Sequence, residues 1–198
     1  MKNTIKFILV ILVGLLFNAG SHAQNKWVLD NNHTKVSFIV THLVISEVEG
    51  NFKNFTGSMT SSKPDFTDAQ IDFSVDIASI NTDNEQRDTH LKSDDFFNAE
   101  KYPKMTFKSI LMKKTGDKKY ELVGNLTIRD VTKKVKFIVT YGGTVKDPWG
   151  NTKAGFKATA TINRLDYGLK WNTLTETGSA VVSSEVTINI NAEFALQK

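Results

Sequence analysis

Three histidines lie beyond the first two dozen residues, His33, His42 and His90, and imidazole is the side chain best suited to acid–base work or metal ligation near neutral pH. None of them stands in a His-x-His, His-x-x-x-His or His-Glu-x-x-His spacing, so no local segment aims two imidazoles at one ion. His42 shares the parity of Val36, Phe38 and Val40, which directs it inward near a strand end, where a hydrogen-bonded rim histidine is the simpler expectation. The carboxylates offer little more. Asp72 and Asp76 fall on the polar face of an alternating segment, where there is little desolvation to raise a pKa. Asp94 and Asp95 read as helix-start residues that complement the helix dipole. There is no Gly-x-Ser-x-Gly elbow, phosphate-binding glycine loop or dinucleotide fingerprint. With no cysteine in the chain, disulfides, thiolate chemistry and cysteine metal sites are excluded. Neither a metal nor a cofactor is expected, and no catalytic constellation emerges.

The elements that would position these side chains are mostly strands. Ile71, Phe73, Val75 and Ile77 alternate with Asp72, Ser74 and Asp76, one face inward and one in water. The same period recurs around Val36 to Val40, Tyr120 to Ile128, Val135 to Tyr141, Phe156 to Ile162 and Val186 to Phe194. With Trp27 to Leu29, Glu47 to Thr60 and Met105 to Leu111, roughly eight or nine strands result. Short turns at Gly116-Asp117, Asp130-Val131-Thr132 and Asp147 to Asn151 make consecutive strands antiparallel neighbours. A meander of this kind can close, which removes its exposed edges, so a barrel is favoured over a sandwich. One helical island interrupts it. Thr82 and Glu85 have capping-box spacing, and no Gly or Pro intervenes before Ser93, so a helix of about ten residues is expected, pinned by Phe96 and Phe97. Pro103 then returns the chain to extended geometry.

Lys2 and Lys6, the apolar run Phe7 to Phe17 and the small residues Ser21 and Ala23 form the three-part pattern of a secretory signal. The run is shorter than the ~20 residues a membrane span needs, so cleavage after Ala23, and no permanent membrane anchor, is expected. Residues 24–198 then suit one domain, since no linker or repeat divides them. The formal charge of +4 is halved by loss of the two leader lysines, and nucleic acid is not an expected partner. The lysine pairs 113–114, 118–119 and 133–134 flank turns and read as solvated hairpin ends.

Aromatic bulk is what the chain has in abundance. Of its 13 phenylalanines, Phe38, Phe52, Phe55, Phe73, Phe107, Phe137 and Phe156 fall in strand-like segments. Singly each reads as core; together, lining a closed meander, they make a candidate apolar pocket.

Gly50-Asn51-Phe52-x-x-Phe55-x-Gly57, Arg87-Asp88-x-His90-Leu91-x-Ser93-x-Asp95-Phe96-Phe97, Tyr102-Pro103-x-x-x-Phe107, Gly124-x-Leu126-Thr127-Ile128, Val131-Thr132-Lys133 and Asn163-Arg164-x-Asp166-Tyr167-Gly168 occur in this order. The pattern resembles the YceI-like family of bacterial periplasmic proteins over almost all of residues 24–198. The resemblance implies an extended lipocalin-like, eight-stranded antiparallel barrel with one helix alongside, whose interior holds a polyisoprenoid or similar long-chain amphiphile, and it names no reaction. Phe38, Val40, Phe52, Phe55, Phe73, Val75, Phe97, Phe107, Phe137 and Phe156 are the expected pocket lining. His42, His90 and Arg164 are the expected polar rim. The chain departs from the family at Arg129-Asp130, where a Gly is frequent, at Lys134, where a Pro is frequent, and over Trp171 to Ser183. A non-catalytic periplasmic carrier is the leading reading. An enzyme using His42 or His90 in the same pocket, and an interaction module with a filled barrel, are the alternatives; homodimerisation is left open.

Overall fold

The computed structural model describes residues 24–197, so the leader-like segment and its cleavage point lie outside the described residues. Strands β1 (Asn25–Leu29) and β2 (Lys35–His42) form one ribbon, broken at the short turn Asn31–His33, whose entry Asp30 caps by accepting from the Asn32 N–H at 3.1 Å. Strands β3 (Ser46–Phe52) and β4 (Phe55–Ser61) form the returning ribbon, and β5 (Gln70–Asp76) and β6 (Ile80–Asn81) the third. The long strands β7 (Lys104–Gly116), β8 (Lys119–Ile128), β9 (Val131–Lys146), β10 (Thr152–Asn163) and β11 (Val182–Leu196) complete the set.

Each ribbon pairs antiparallel with the next in the chain, as the short turns require. The last strand then meets the first: Ile188 of β11 lies opposite Phe38 of β2, and Leu196 opposite Trp27 of β1. The result is a closed eight-stranded antiparallel barrel with one helix, in which the pairing of neighbours removes free edges. The breaks within the first two ribbons switch the inward parity, from Trp27 and Leu29 to Val36 and Phe38, and from Phe52 to Phe55 and Met59. An uninterrupted alternation would have turned half of each ribbon inside out.

One seam parts. The pairing of β5 with β7 ends at Asp76 and Lys104, and β6 leans on β3 instead. The segment between β6 and β7 fills this end, and within it lies α1 (Glu85–Lys92), shorter than expected. Its N-cap is Asn84, whose side chain accepts from the Arg87 N–H at 2.9 Å, not Thr82. Thr82 is buried and spends its hydroxyl on Asp88 (2.6 Å), so the capping-box reading fails at that residue. Asp94 and Asp95 follow the helix rather than start one: Asp94 holds Arg129 (2.7 Å) and Lys170 (2.8 Å), and Asp95 holds His90 (2.8 Å). The helix has almost no apolar face. It is docked by its sequel, with the Phe97 N–H donating to Leu91 O at 3.0 Å and Phe96 buried beneath it. Among the described residues no helix is long and apolar enough to cross a membrane.

Candidate functional site

Inward phenylalanines need room, and three glycines supply it. A Cβ on Gly50 would lie 2.3 Å from the Phe38 ring, one on Gly57 2.8 Å from the Phe73 ring, and one on Gly124 2.3 Å from the Phe107 ring. Each glycine thus lets a ring lie flat across a neighbouring strand, which leaves the barrel axis partly open.

That axis holds two chambers. The inner one, about 90 Å³, is bordered by Phe73, Val75, Phe107, Phe137 and Phe156. The outer one, about 280 Å³, lies toward the helix and is bordered by Phe38, Val40, Phe52 and Phe97. Val36, Met105 and Ile188 border both, so the two meet at a constriction. Phe55 lines neither chamber: it is buried and its ring stacks on Phe73 at 6.0 Å between centroids, filling the wall behind it. The inner chamber's wall is apolar except for Thr106.

The outer chamber carries polar groups at its roof. His90, from α1, donates or accepts at Nε2 with Asp95 Oδ2 at 2.8 Å, and its ring meets Phe96 and Trp171 edge-on, at centroid distances of 5.1 and 5.6 Å. Arg87, one turn before it, donates from Nε to Thr82 Oγ1 (2.7 Å) and from Nη2 to Thr82 O (2.7 Å), while Thr82 donates on to Asp88. His42 lines the chamber from the end of β2. Among the described residues no hydroxyl is bonded to these imidazoles: Ser37 Oγ donates to Asn189 O at 3.4 Å and Thr82 to Asp88.

Arg164 borders the outer chamber together with His42 and His90, but as a buried group. It is only 2% exposed, and its guanidinium donates to Ser183 O (2.8 Å), Leu169 O (3.2 Å), Trp171 O (2.7 Å), Val182 O (3.1 Å) and Asn172 Oδ1 (3.4 Å). Every donor of the group is thereby used. Burial pushes its pKa down, but a guanidinium stays charged, so Arg164 is a cationic strut that ties the crossover after β10 to the start of β11. Arg129 plays a similar part opposite. Its backbone has φ +55°, the geometry in which glycine is favoured, and its side chain reaches Asp94 O, Phe96 O and Gly168 O at 2.8–3.0 Å. The cross-links offset the backbone cost of holding a residue other than glycine in this geometry.

Sequence reasoning missed Arg87, Thr82, Leu169 and Trp171 as lining groups. The last two stand in a stretch without strand alternation, so no periodicity could place them. Arg87 was visible as part of a motif but carried no direction. The third histidine, His33, is remote from the chambers: it sits with Asp30 (3.1 Å) and Glu193 (3.8 Å), a trio of ligating types among the described residues. Lys153 already supplies the cation there, with Nζ 2.5 Å from Asp30 and 3.3 Å from Glu193. Its hydrogen bond holds the Asp30 carboxyl down at about 2.

Comparison with known proteins gives a consistent picture. The model of the YceI-like domain matches residues 27–194. A UPF0312 protein of Pseudomonas putida strain W619 is 35% identical over 196 residues, covering 97% of both chains. The crystal structure of the Campylobacter jejuni YCEI protein superposes with a TM-score of 0.66 at 35% identity, covering 80% of this chain and 90% of that one. A polyisoprenoid binding domain from Saccharophagus degradans, implicated in plant cell wall breakdown, shares the fold at a TM-score of 0.64 and 14% identity, covering 86% of this chain and 98% of that one.

Proposed function

This chain belongs to the YceI-like family, and from that premise we propose that it is a non-catalytic periplasmic binding or carrier protein for an isoprenoid or similar long-chain amphiphile. The observation that carries this reading is the pair of chambers meeting at Val36, Met105 and Ile188, apolar at the inner end but for Thr106 and with the basic side chains all in the outer chamber. Such a gradient suits a molecule with a hydrocarbon tail and a polar end, tail inward. The polyisoprenoid binding domain with the same fold supports the ligand class. Export rests on the leader pattern, and intact-mass analysis is expected to show a mature chain that begins at Gln24.

The roof gives little to an enzyme. A proton-transfer pair needs a reacting group within hydrogen-bond reach, yet His90 is held by Asp95, and the neighbouring hydroxyls are bonded elsewhere. The pair His90–Asp95 instead joins the helix end to Asp95, whose carbonyl accepts from Lys170 and Trp171 N–H at 2.8 and 3.0 Å.

The test is mass spectrometry of an organic extract of protein purified from its native periplasm, with Phe73→Ala and Ser74→Ala alongside. A carrier is expected to yield a long-chain amphiphile, to lose or exchange it on Phe73→Ala, and to keep it on Ser74→Ala. Removing a buried Phe costs ~3–5 kcal/mol in a tight core and less beside existing space. A large loss of stability with no extractable lipid in the unaltered protein would favour the filled-barrel alternative.

A further inference from the structure

The β2–β3 hairpin ends in Leu43, Val44 and Ile45, which are 38%, 68% and 84% exposed. Between Lys35 and Glu47 the chain has no Asp, Glu, Lys or Arg. A hairpin tip in water is ordinarily polar, and this one is also strained. Leu43 and Val44 have φ of +52° and +65°, the pattern of a type I′ turn, for which Asn-Gly is the favoured pair. A β-branched residue in that conformation is a genuine outlier. Strain retained at an exposed site points to a use for the side chains there.

We propose that the Leu43–Val44–Ile45 tip inserts into a lipid bilayer and holds the mouth of the outer chamber against it, so that an amphiphile passes between membrane and barrel without crossing water. The proposal rests on the carrier reading given above. Position supports it, because Val40 and His42 at the base of the same hairpin border the outer chamber, as do Val181 and Val182 where the adjoining strand β11 begins. Part of the turn's backbone is already paired, which lowers the cost of bringing it to the edge of the hydrocarbon. The Ile45 N–H donates to His42 O at 3.2 Å, and the Leu43 N–H to Val181 O at 2.9 Å. The apolar surface continues sideways: Ala180, next to Val181, bridges Leu174, which is 56% exposed.

A second copy of the chain is a poorer fit. Stable protein interfaces bury about 800 Å² per partner with ~20–30 residues, whereas the tip presents three side chains with one neighbour. Trp149 and Val145 at the β9–β10 hairpin are also exposed; they lie at the opposite end of the barrel from the outer chamber and serve as a control.

The experiment is flotation with vesicles of phosphatidylcholine and phosphatidylethanolamine that contain no isoprenoid, at low and high salt. The variant is Leu43→Asn/Val44→Gly/Ile45→Thr, whose Asn-Gly turn suits the observed φ values, so folding is not at risk and thermal stability should hold or rise. The native protein is expected to float, with little dependence on salt because apolar insertion drives it. The triple variant is expected to lose at least about tenfold in partition, and Trp149→Ser to lose nothing. Equal flotation of native and triple variant, or no flotation of the native protein, overturns the proposal. A native dimer that the triple variant dissociates, with neither form on vesicles, assigns the tip to a second copy and overturns it too. Failure of the carrier reading looks different: flotation intact, and no amphiphile in the organic extract.

Discussion

Replacement of Gly50 by Ala probes whether the Phe38 ring borders usable space. Phe38 and Gly50 are directly opposite on β2 and β3. An added methyl would stand 2.3 Å from Phe38 Cζ, 2.6 Å from Cε1 and 2.8 Å from Thr82 Cγ2, against an ordinary contact of ~3.5–4.0 Å. The ring therefore has to move by roughly 1 Å or more, and the open direction is the outer chamber of about 280 Å³. Overpacking a tight core costs ~1–3 kcal/mol. With space at hand the low end applies, about 1 kcal/mol, which for a domain of this size lowers Tm by ~2–4 °C. The larger effect falls on binding, because the displaced ring narrows the chamber. Thermal unfolding by circular dichroism and mass-spectrometric quantification of retained amphiphile read the two effects separately. The expected outcome is a folded protein with a small drop in Tm and a several-fold loss of retained lipid, and Phe38→Leu in the Gly50→Ala background should restore retention. Full retention at unchanged Tm would refute the placement of the ring. A drop of more than about 10 °C would mean that the ring has nowhere to go and the chamber is not open to it.

Arg164→Met is expected to leave several buried carbonyls without a donor, at about 1 kcal/mol or more each, and to raise hydrogen exchange across residues 169–183; unchanged exchange there would contradict the strut. The Asp30–Lys153 pair sets an acid-side dependence. The Asp30 carboxyl titrates at about 2 against 3.8 unfolded, so its stabilisation, about 2 kcal/mol, is fully present above pH ~4 and is lost as pH falls through ~2. Asp30→Asn should flatten that slope, and an NMR titration of Asp30 near the ordinary carboxylate value would refute it. Elemental analysis is expected to show no stoichiometric divalent metal at Asp30, His33 and Glu193, because the Lys153 ammonium already bridges both carboxylates and occupies the place a cation would take; metal recovered in native protein and lost on His33→Ala would overturn this.

The barrel was legible because its cause is local. Alternation in segments such as Ile71 to Ile77 fixes a face, and turns such as Asp147 to Asn151 fix antiparallel order, so the closed meander follows from neighbours in the chain. What stayed hidden depends on partners far apart. Asn84 rather than Thr82 caps the helix because Thr82 is claimed by Asp88 and Arg87 within a buried network. Arg164 borders the outer chamber, yet nothing near it in the sequence shows that carbonyls on two later segments, around residues 169–172 and 182–183, will claim its donors. Phe55 carries the same inward parity as the lining residues, and only three-dimensional packing shows that it backs Phe73 instead of facing the void. The glycines show the reverse. Gly50, Gly57 and Gly124 were visible as motif letters, and the structure supplies their physical reason: a phenyl ring lies where each side chain would be.

The shape of the interior bears on selectivity more than on strength. Burying one five-carbon isoprene unit from water is favourable by about 4 kcal/mol at ~0.8 kcal/mol per CH₂-sized group, so several units would bind tightly from water even after an association cost of order 10 kcal/mol. A lipid that comes from a membrane has already left water, and its transfer into an apolar chamber is nearly neutral. Discrimination must then arise where the chambers differ from bulk hydrocarbon. One such place is the constriction at Val36, Met105 and Ile188, where two β-branched residues of restricted rotamer freedom face a methionine that adapts to irregular shapes. The other is the roof, where Arg87 and His90 stand among aromatic rings and no carboxylate among the described residues borders the chamber. A tail has to fit the first while its polar end is met by the second, and the distance between them, set by the rigid strands that carry them, is what this barrel imposes and a bilayer does not.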